Sequence, residues 1–396
     1  MKENQLYSVI KGGYALIVLH LLAVCPLCVG CRTDDVVLPS KENVGDGGSD
    51  NIRGFFLLNE GNMGSNKCTL DYYDYGKREY VRNIFGKANP DIVLELGDGG
   101  NDIGIYGSKL YAVINYSNLV EVMDAGTARH ITQIGVPNCR NIAFDGKYAY
   151  VSSYSGARMD SPDRMLGYVA RIDTASLTVV DTCLVGYQPE EMVVYENKLY
   201  VANSGGYCYP DYDRTVSIID LNTFKVTKTL DVQVNLHRME VDRKRGLIYV
   251  SSRGDYYSVP SSIYIIDAVR DVVADHIPDL PCADMVICGD SMYVYSTEWD
   301  NLTYTTVVRY SVYDMARRTI VPGEFVPDSI KGEIVYPYGI SANPENGDVF
   351  VTDAKDFVTP GMLFCFGRDG NLKWKVMTGD LPGHFALTYH SLSLSD

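Results

Sequence analysis

The sequence has few charged residues, and those it has are mostly acidic. Charged residues make up 21% of its 396 positions, with 35 Lys and Arg against 50 Asp and Glu, for a formal net charge of -15. No long basic run offsets this balance. A protein that binds nucleic acid must present Lys and Arg to displace the counterions of the phosphates. The composition therefore argues against a nucleic-acid partner.

Motifs of several common enzyme classes are also missing. The sequence contains no GxxxxGK(S/T) phosphate-binding loop, no HExxH zinc motif and no GxSxG nucleophile motif. The glycine-rich residues 97–100 precede a predicted strand and open no helix. Six His are too few and too scattered to propose a zinc site. We therefore predict a protein that is not an enzyme, with no catalytic residues, no metal site and no cofactor.

Helical periodicity is absent as well. No segment after Cys31 sustains an apolar period of 3.6 residues, which excludes a helical solenoid. The sequence has 31 Tyr and 36 Gly. Aromatic and β-branched residues suit a pleated surface, so this composition favours many short strands joined by turns.

The amino terminus resembles the signal of a bacterial lipoprotein. Lys2 and Lys11 precede an apolar run over residues 14–30, and Cys31 follows directly. We predict a signal peptide at 1–30, lipidation of Cys31 and a flexible acidic tether at 31–53. A retained membrane helix is the alternative for the apolar run. The position three residues before Cys31 is Cys28 where Leu is usual, and Cys25 is an alternative acceptor.

The residues after Cys31 carry information on localisation. The acidic pair Asp34 and Asp35 resembles the export signal of lipoproteins displayed outside the outer membrane of Bacteroidetes-type bacteria. We therefore expect a lipid anchor in the outer membrane, with the protein facing the cell exterior.

Cys25 and Cys28 would leave with the signal peptide and Cys31 would carry the lipid, so seven of the ten Cys remain unmodified, an odd number. None of the seven has CxxC or Cys/His spacing. Cys282 and Cys288 lie on one predicted strand, about 20 Å apart at about 3.3 Å per residue, too far for a disulfide. We predict buried, unpaired thiols.

Seven segments repeat one pattern, a strand with an aromatic residue near its middle. These aromatic anchors are Phe56, Tyr111, Tyr150, Tyr200, Tyr249, Tyr293 and Phe350. Consecutive anchors lie 39 to 57 residues apart, a period near that of four-stranded propeller blades. In the fuller copies a third strand ends in Asp, at positions 124, 173, 220 and 267. We interpret these aspartates as acceptors for the turn that follows.

The two ends of the chain complement each other. The first copy begins with the second strand of a blade, and residues 382–389 resemble the innermost strands found elsewhere. Pairing the C-terminal strand with the N-terminal blade would close the ring and remove exposed sheet edges. We therefore predict an all-β, seven-bladed propeller over residues 54–396.

One face of such a propeller collects the starts of the innermost strands and the loops after the second strands, where binding is expected. The strand starts offer polar groups at Asn101, Asp102, Arg140, Asn141, Glu190, Glu191, His237, Arg238, Asp284, Tyr338 and His384. The loops offer aromatic groups at Tyr154, Tyr207, Tyr209, Tyr212, Tyr256, Tyr257, Trp299 and Tyr304. Our predicted ligand-binding set is these residues without Asn101, Tyr212, Tyr304 and His384.

Two other interpretations of this face remain open. The polar ring could line a hydrated channel and bind nothing. Alternatively, Glu190 or Glu191 could work with Asp102 or Asp284 as acid and base in a propeller hydrolase or lyase.

The chain resembles the YVTN-type, or YncE-like, seven-bladed propellers over residues 54–389. The best match to that repeat is Leu199-Tyr200-Val201-Ala202-Asn203 with Pro189 ten residues before Leu199. Together with the lipoprotein start, the architecture resembles surface lipoproteins that capture corrinoids for a TonB-dependent cobalamin transporter. This resemblance implies cobalamin as the ligand, a transporter as partner and contact with the membrane through the lipid anchor. A glycan- or peptide-binding surface module is the alternative, because the same Tyr/Trp rim would serve it.

Overall fold

The computed structural model describes residues 40–45, 48–92, 96–155, 165–300 and 303–394, with only the backbone at Asp300. The predicted signal peptide and the lipidation site Cys31 lie outside the described residues. Within the described ranges, no helix is both long enough and apolar enough to cross a membrane.

The described residues form seven antiparallel sheets, one per blade, which confirms the predicted all-β propeller. Blade 1 contains β1 (Lys41–Asn43), β2 (Gly54–Asn59), β3 (Thr69–Asp74) and β4 (Glu79–Val81), followed by the short helix α1 (Ile84–Ala88). Blade 2 contains β5 (Gly100–Tyr106), β6 (Lys109–Ile114), β7 (Leu119–Asp124) and β8 (His130–Gly135). Blade 3 contains β9 (Cys139–Asp145), β10 (Tyr148–Ser153), β11 (Tyr168–Asp173) and β12 (Thr178–Leu184).

The remaining blades follow the same order. Blade 4 contains β13 (Pro189–Tyr195), β14 (Lys198–Asn203), β15 (Thr215–Asp220) and β16 (Lys225–Asp231). Blade 5 contains β17 (Leu236–Asp242), β18 (Leu247–Ser252), β19 (Ser262–Asp267) and β20 (Val272–Ile277). Blade 6 contains β21 (Asp284–Cys288), β22 (Ser291–Asp300), β23 (Thr305–Asp314) and β24 (Thr319–Ile320), followed by α2 (Asp328–Lys331). Blade 7 contains β25 (Pro337–Ala342), β26 (Val349–Asp353), β27 (Met362–Phe366) and β28 (Leu372–Met377).

The last strand, β29 (Pro382–Thr388), closes the ring. It pairs antiparallel with β2 as the innermost strand of blade 1, with Ala386 opposite Phe56. This confirms the predicted closure by the C-terminal strand. Inner strands therefore begin on one face, which we call the loop face, and every second strand ends there.

The aromatic anchors fill the space between neighbouring blades. Tyr150 of blade 3, for example, packs with Met192 and Val201 of blade 4 in one buried cluster. Six of the seven anchors are buried, and Tyr293 is partly exposed. Burying an aromatic side chain of this size stabilises the fold by roughly 2 kcal/mol. The anchors therefore hold adjacent blades together.

The aspartates at the ends of third strands act as turn acceptors, as the sequence predicted. Asp173 Oδ1 accepts the backbone N–H of Ser176 at 2.9 Å, and Asp220 Oδ1 accepts that of Thr223 at 2.8 Å. These hydrogen bonds lower the pKa of Asp173 and of Asp220. Asp267 Oδ1 accepts the N–H of Arg270 in the same way, and Asp124 Oδ1 accepts the N–H of Gly126 and the hydroxyl of Thr127.

Part of the segment that the sequence assigned to a flexible tether belongs to the propeller. β1 pairs with β4 and adds a fifth strand to blade 1, because the edge of β4 is otherwise open. Glu345, in the turn between β25 and β26, accepts the backbone N–H groups of Asn51 at 2.9 Å and Ile52 at 3.2 Å. Hydrogen bonds from the Ser49 hydroxyl and from these N–H groups lower the pKa of Glu345 to about 2. Residues 41–43 and 49–52 are therefore held against the ring.

The cysteines fit the prediction of buried thiols. Cys139, Cys183 and Cys282 are free and buried, and Cys288 is free and partly exposed. Burial raises the pKa of Cys139 to about 12, so its thiol is protonated and unreactive at neutral pH.

Candidate ligand-binding site

A cavity of about 770 Å³ lies on the loop face. The starts of inner strands and the loops after second strands supply its lining. Its volume falls in the range of about 300–1,000 Å³ that is usual for small-molecule sites. The cavity therefore lies where the direction of the strands predicts a binding site.

A repeated β-bulge places polar side chains at the start of the inner strands. In six of the seven blades the inner strand carries one extra residue relative to the second strand, near its first residues. In blade 3, for example, Cys139 pairs with Ser153 but Ile142 pairs with Val151, so Arg140 and Asn141 bulge. Bulges leave residues out of the ladder and redirect their side chains. Arg140, Glu190, His237 and Tyr338 all occupy such bulges.

In five of the seven blades a second repeated feature fixes the residue that directly follows the second strand. Its backbone N–H donates to the carbonyl of the residue just before the inner strand, which has a left-handed backbone. The donors are Glu60, Asn115, Tyr154, Ser204 and Arg253, and the acceptors are Leu381, Gly99, Asn138, Gln188 and Asn235. These five donors are equivalent positions, and three of them, Glu60, Asn115 and Arg253, line the cavity.

Glu190 holds two arginines at the cavity. Arg140 Nη2 lies 3.3 Å from Glu190 Oε2, and Arg253 Nη1 lies 3.7 Å from Glu190 Oε1. The Tyr154 hydroxyl donates to Glu190 Oε1 at 2.6 Å, and the Arg140 guanidinium lies over the Tyr154 ring. Burial alone would raise the pKa of Glu190, but the two arginines outweigh it and lower the pKa. Glu190 is therefore ionised and orients both guanidinium groups.

Glu60 organises the opposite side of the cavity. Its Oε2 accepts the hydroxyl of Tyr338 at 2.8 Å, and its Oε1 lies 2.9 Å from His384 Nε2. Tyr338 is held in turn, because its backbone carbonyl accepts the hydroxyl of Tyr295 at 2.6 Å. The cavity thus presents hydrogen-bond acceptors on this side and cationic donors on the other.

Three predicted site carboxylates are engaged with backbone and do not line the cavity. Asp102 Oδ2 accepts the N–H of Ile142 in the next blade at 2.8 Å, and Glu191 Oε2 accepts that of Met239 at 2.8 Å. Asp284 accepts the N–H of Met285 and lies 3.3 Å from Arg238 Nε. Asp102 and Glu191 therefore bridge adjacent blades.

Their surroundings shift the titration of these carboxyl groups. Loss of solvent raises the pKa of Asp102 and of Asp284. It raises the pKa of Glu191 to about 8, although the nearby Arg238 opposes the shift. Glu191 is therefore largely protonated at neutral pH.

His237 lies among cations. Burial lowers its pKa well below the usual value, and the charges of Arg253 and Arg238 lower it further. The imidazole is therefore neutral at pH 7. Its Nδ1 is buried and has no hydrogen-bond partner in the described part of the chain.

The rim of the cavity is aromatic. Tyr116, Tyr256, Tyr257 and Trp299 line it and are exposed, with Tyr257 at 80% and Trp299 at 59%. Trp299 lies near the end of β22. β22 and β23 are ten residues long each and form the longest hairpin among the described strands. Aromatic side chains at such a rim offer a large contact area to a ligand.

The loop that carries Tyr256 and Tyr257 is held in one conformation. Asp255 Oδ1 accepts the backbone N–H groups of Tyr257 at 2.9 Å and Val259 at 2.8 Å. Gly254 has φ +68, and a Cβ there would lie 2.0 Å from the carbonyl oxygen of Val259, so only glycine fits. The two tyrosines are thus presented by a prearranged loop.

Comparison with known families gives the chain its classification. Residues 53–364 match the model of the family described as a domain of unknown function, DUF5074. The chain belongs to the DUF5074 family. None of the curated proteins matches this DUF5074 chain.

Solved structures similar to this DUF5074 protein are also propeller-like but distant in sequence. Hydrazine synthase of Kuenenia stuttgartiensis is 15% identical over 68% of this chain and 77% of that chain, with a TM-score of 0.55. A quinoprotein alcohol dehydrogenase-like protein of Bacteroides thetaiotaomicron is 16% identical over 85% and 78%, with a TM-score of 0.58. A functionally unknown protein of Desulfotomaculum acetoxidans is 11% identical over 85% and 99%, with a TM-score of 0.57. At these identities the similarity shows the fold alone.

The structure of the DUF5074 chain brings together most of the predicted site residues. Those that line the cavity are Arg140, Asn141, Glu190, His237, Arg238, Tyr256, Tyr257, Trp299 and Tyr338. Tyr154 is buried behind Arg140. Tyr207 and Tyr209 are exposed beside the lining, with the Tyr209 ring 6.1 Å from that of Tyr257. Asp102, Glu191 and Asp284 are directed to backbone groups instead, as described above.

Sequence reasoning missed several lining residues of this DUF5074 site, notably Glu60, Tyr116 and Arg253. Glu60 and Arg253 directly follow a second strand, the position that Tyr154 occupies in blade 3. The repeat therefore indicates these two residues, because each occupies in its own blade the position that Tyr154 occupies in blade 3. Glu60 and Arg253 are charged, whereas the residues expected in the loops are aromatic, and Tyr116 lies one residue beyond the equivalent position Asn115.

The candidate acid-base pair does not assemble in the DUF5074 cavity. Of its four candidate carboxylates, Glu190 alone lines the cavity, and it is held by Arg140 and Tyr154. Among the described residues, no group of three or more His, Cys, Asp or Glu is placed to hold a metal ion.

Proposed function

We propose that this protein is a lipid-anchored surface protein that captures a corrinoid such as cobalamin and passes it to a TonB-dependent outer-membrane transporter. The observation that supports the proposal is a single cavity in which charged and amide groups at the propeller axis face a rim of Tyr and Trp. The lipid anchor and the outward orientation rest on Cys31 and on the acidic pair after it.

The chemistry of a corrinoid matches this division of the cavity. A corrinoid is a wide, flat ring with carboxamide arms around its edge. Its faces favour apolar contact, which Tyr256, Tyr257 and Trp299 offer, whereas its arms need both donors and acceptors. Asn141, which lines the cavity, carries amide donors for an arm carbonyl, and Glu60 can accept from an arm amide. The loop held by Asp255 limits the entropy lost on binding.

Calorimetry of the purified full-length protein in detergent with cyanocobalamin and with cobinamide tests the proposal. We expect saturable binding of both ligands, and Trp299→Ala and Tyr257→Ala should each weaken it by about tenfold because each removes an aromatic contact. Tyr389→Ala is the matched control, since Tyr389 is an exposed aromatic just after β29, on the opposite face.

Absence of heat with both corrinoids at micromolar concentration would refute the proposal. Binding of the same protein to a glycan array would then support the glycan-binding alternative. A control variant that loses affinity as strongly as the rim variants would likewise contradict assignment of the site to the loop face.

A further inference from the structure

Cations gather on one side of the cavity. Arg140 and Arg253 both lie within 4 Å of the same carboxylate, that of Glu190. His237, at the start of β17, lies in the field of these two arginines and of Arg238. An electropositive region therefore occupies the part of the lining that blades 3 to 5 contribute.

Arg253 has hydrogen-bond donors available for a ligand. Its side chain is 32% exposed, and its one ion-pair contact in the described part of the chain is Glu190 Oε1 at 3.7 Å, longer than a hydrogen bond. A guanidinium carries five N–H donors in a planar fork. Glu190 already accepts from Tyr154 and Arg140. Arg253 can therefore donate two parallel hydrogen bonds into the cavity.

The other charged groups of the lining have partners of their own. Glu298 is paired with Arg309 at 2.7 Å, Arg238 with Asp284 at 3.3 Å, and Glu60 with the imidazole of His384 and the hydroxyl of Tyr338. Two guanidinium groups, by contrast, share the single carboxylate of Glu190. Within 4 Å, one carboxylate therefore serves two guanidinium groups on this side of the cavity.

We propose that Arg140, Arg253 and His237 form an anion subsite that takes the phosphodiester of a corrinoid's nucleotide arm. This inference rests on the proposed function, because it names the part of the corrinoid that this side of the cavity recognises. A phosphodiester carries one negative charge and two non-bridging oxygens, which match the fork of an arginine. The neutral imidazole of His237 adds one N–H donor without competing for the charge. The carboxamide arms then lie toward Glu60, on the opposite side.

The subsite makes the nucleotide arm a determinant of affinity. Cobalamin carries the phosphodiester, whereas cobinamide lacks the nucleotide and its phosphodiester. Wild-type protein should therefore bind cobalamin more tightly than cobinamide, and added NaCl should weaken cobalamin binding selectively because it screens the charge pair.

Calorimetry of full-length Arg253→Gln with both corrinoids tests the subsite. Cobalamin affinity should fall about ten- to hundredfold, the usual cost of losing a charge-assisted hydrogen bond, and cobinamide affinity should change less than about threefold. Arg253→Lys keeps the charge but not the planar guanidinium. Its affinity for cobalamin should lie between those of wild type and Arg253→Gln. Arg214→Gln, which removes an exposed arginine paired with Asp231 away from the lining, is the control and should bind both ligands normally.

Each alternative outcome is decisive. Equal loss of both ligands in Arg253→Gln, or no loss of cobalamin affinity, overturns the subsite and leaves the proposed function standing. Wild-type protein that binds neither corrinoid overturns the proposed function and the subsite with it. Unchanged thermal unfolding of Arg253→Gln and of Arg253→Lys ensures that a loss of binding is not a loss of folding.

Discussion

Two consecutive carboxylates in blade 4 have opposite electrostatic environments. Glu190 lies between two guanidinium groups, which lower its pKa in spite of burial. Glu191 accepts one backbone N–H from the next blade, and loss of solvent raises its pKa to about 8. Both residues lie in the β-bulge at the start of β13, where side chains leave the regular alternation of the strand and can take different directions. One residue orients the ligand site and the other connects blades.

Glu191→Gln should make stability less dependent on pH. The folded-state pKa of Glu191 is raised from 4.5 to about 8, so the folded state binds more protons and the free energy of unfolding falls as pH rises through this window. Glutamine keeps the acceptor for Met239 and does not titrate. Between about pH 5 and about pH 8 the free energy of unfolding should fall by up to about 3 kcal/mol less in the variant than in wild type, measured by urea unfolding.

Glu196→Gln, an exposed carboxylate in the turn of the same blade, is the control for this measurement. It should follow the wild-type pH dependence. A Glu191→Gln profile that superimposes on the wild-type profile would show that Glu191 ionises in the folded state as it does in the unfolded chain.

At the residue scale the sequence predicts types of side chain better than their orientation. Arg140 and His237 were recognisable as polar groups at strand starts, and both line the cavity. Asp102 and Glu191 stood at the same strand starts but accept N–H groups of the next blade. Nothing in a single sequence distinguishes these cases, because the acceptor role depends on an N–H that follows a bulge 40 to 48 residues later in the chain.

At the element scale, the loop from Arg253 to Ser261 combines exposed aromatic side chains at the cavity with internal hydrogen bonds. Its tyrosines are exposed while its backbone is fixed by Asp255 and Gly254. The aromatic pair was visible in the sequence, and the aspartate that holds it was not singled out. At Asp255 three successive N–H groups converge on one carboxylate oxygen, a geometry that composition alone does not report.

Asp255→Ala should weaken corrinoid binding by roughly three- to tenfold without removing a predicted ligand contact, because the freed loop must be ordered on binding. Amide hydrogen exchange at Tyr257, Ser258 and Val259 should accelerate, since these N–H groups donate to Asp255. Asp356→Ala, which frees the similar turn at Val358 and Thr359 in blade 7, is the matched control. Weaker binding with unchanged exchange in the Tyr257 loop would contradict this explanation.

At the scale of the whole molecule, the repeat made the architecture predictable. Seven aromatic anchors at a period of 39 to 57 residues required seven similar sheets, and the incomplete first copy required a strand from elsewhere. The predicted pairing of residues 382–389 with the first blade is observed between β29 and β2. The attachment of β1 to β4 was not predictable in the same way, because residues 41–43 are short and polar and lack the alternation of a half-buried strand.

Truncation after Leu381 should abolish cooperative folding. The deletion removes β29 and exposes the inner edge of β2, whose six residues are all buried in the intact protein. An uncovered apolar edge of this kind promotes aggregation. Size-exclusion chromatography and thermal unfolding should show aggregates and no unfolding transition for this chain. The control chain, truncated after Leu394, keeps β29 and the buried Leu392 and should remain monomeric. A folded monomer of the chain truncated after Leu381 would contradict the role of ring closure.

The pairing of β29 with β2 also imposes an order in time. Phe56 and Ala386 are 330 residues apart (386 minus 56), so blade 1 keeps an open edge until β29 has been synthesised. Blade 1 also contributes Glu60, and β29 contributes His384, to one wall of the cavity. A chain that stops before β29 therefore lacks both a closed ring and His384 of this wall, and its open edge favours aggregation. The same strand that closes the ring thus also completes the candidate site.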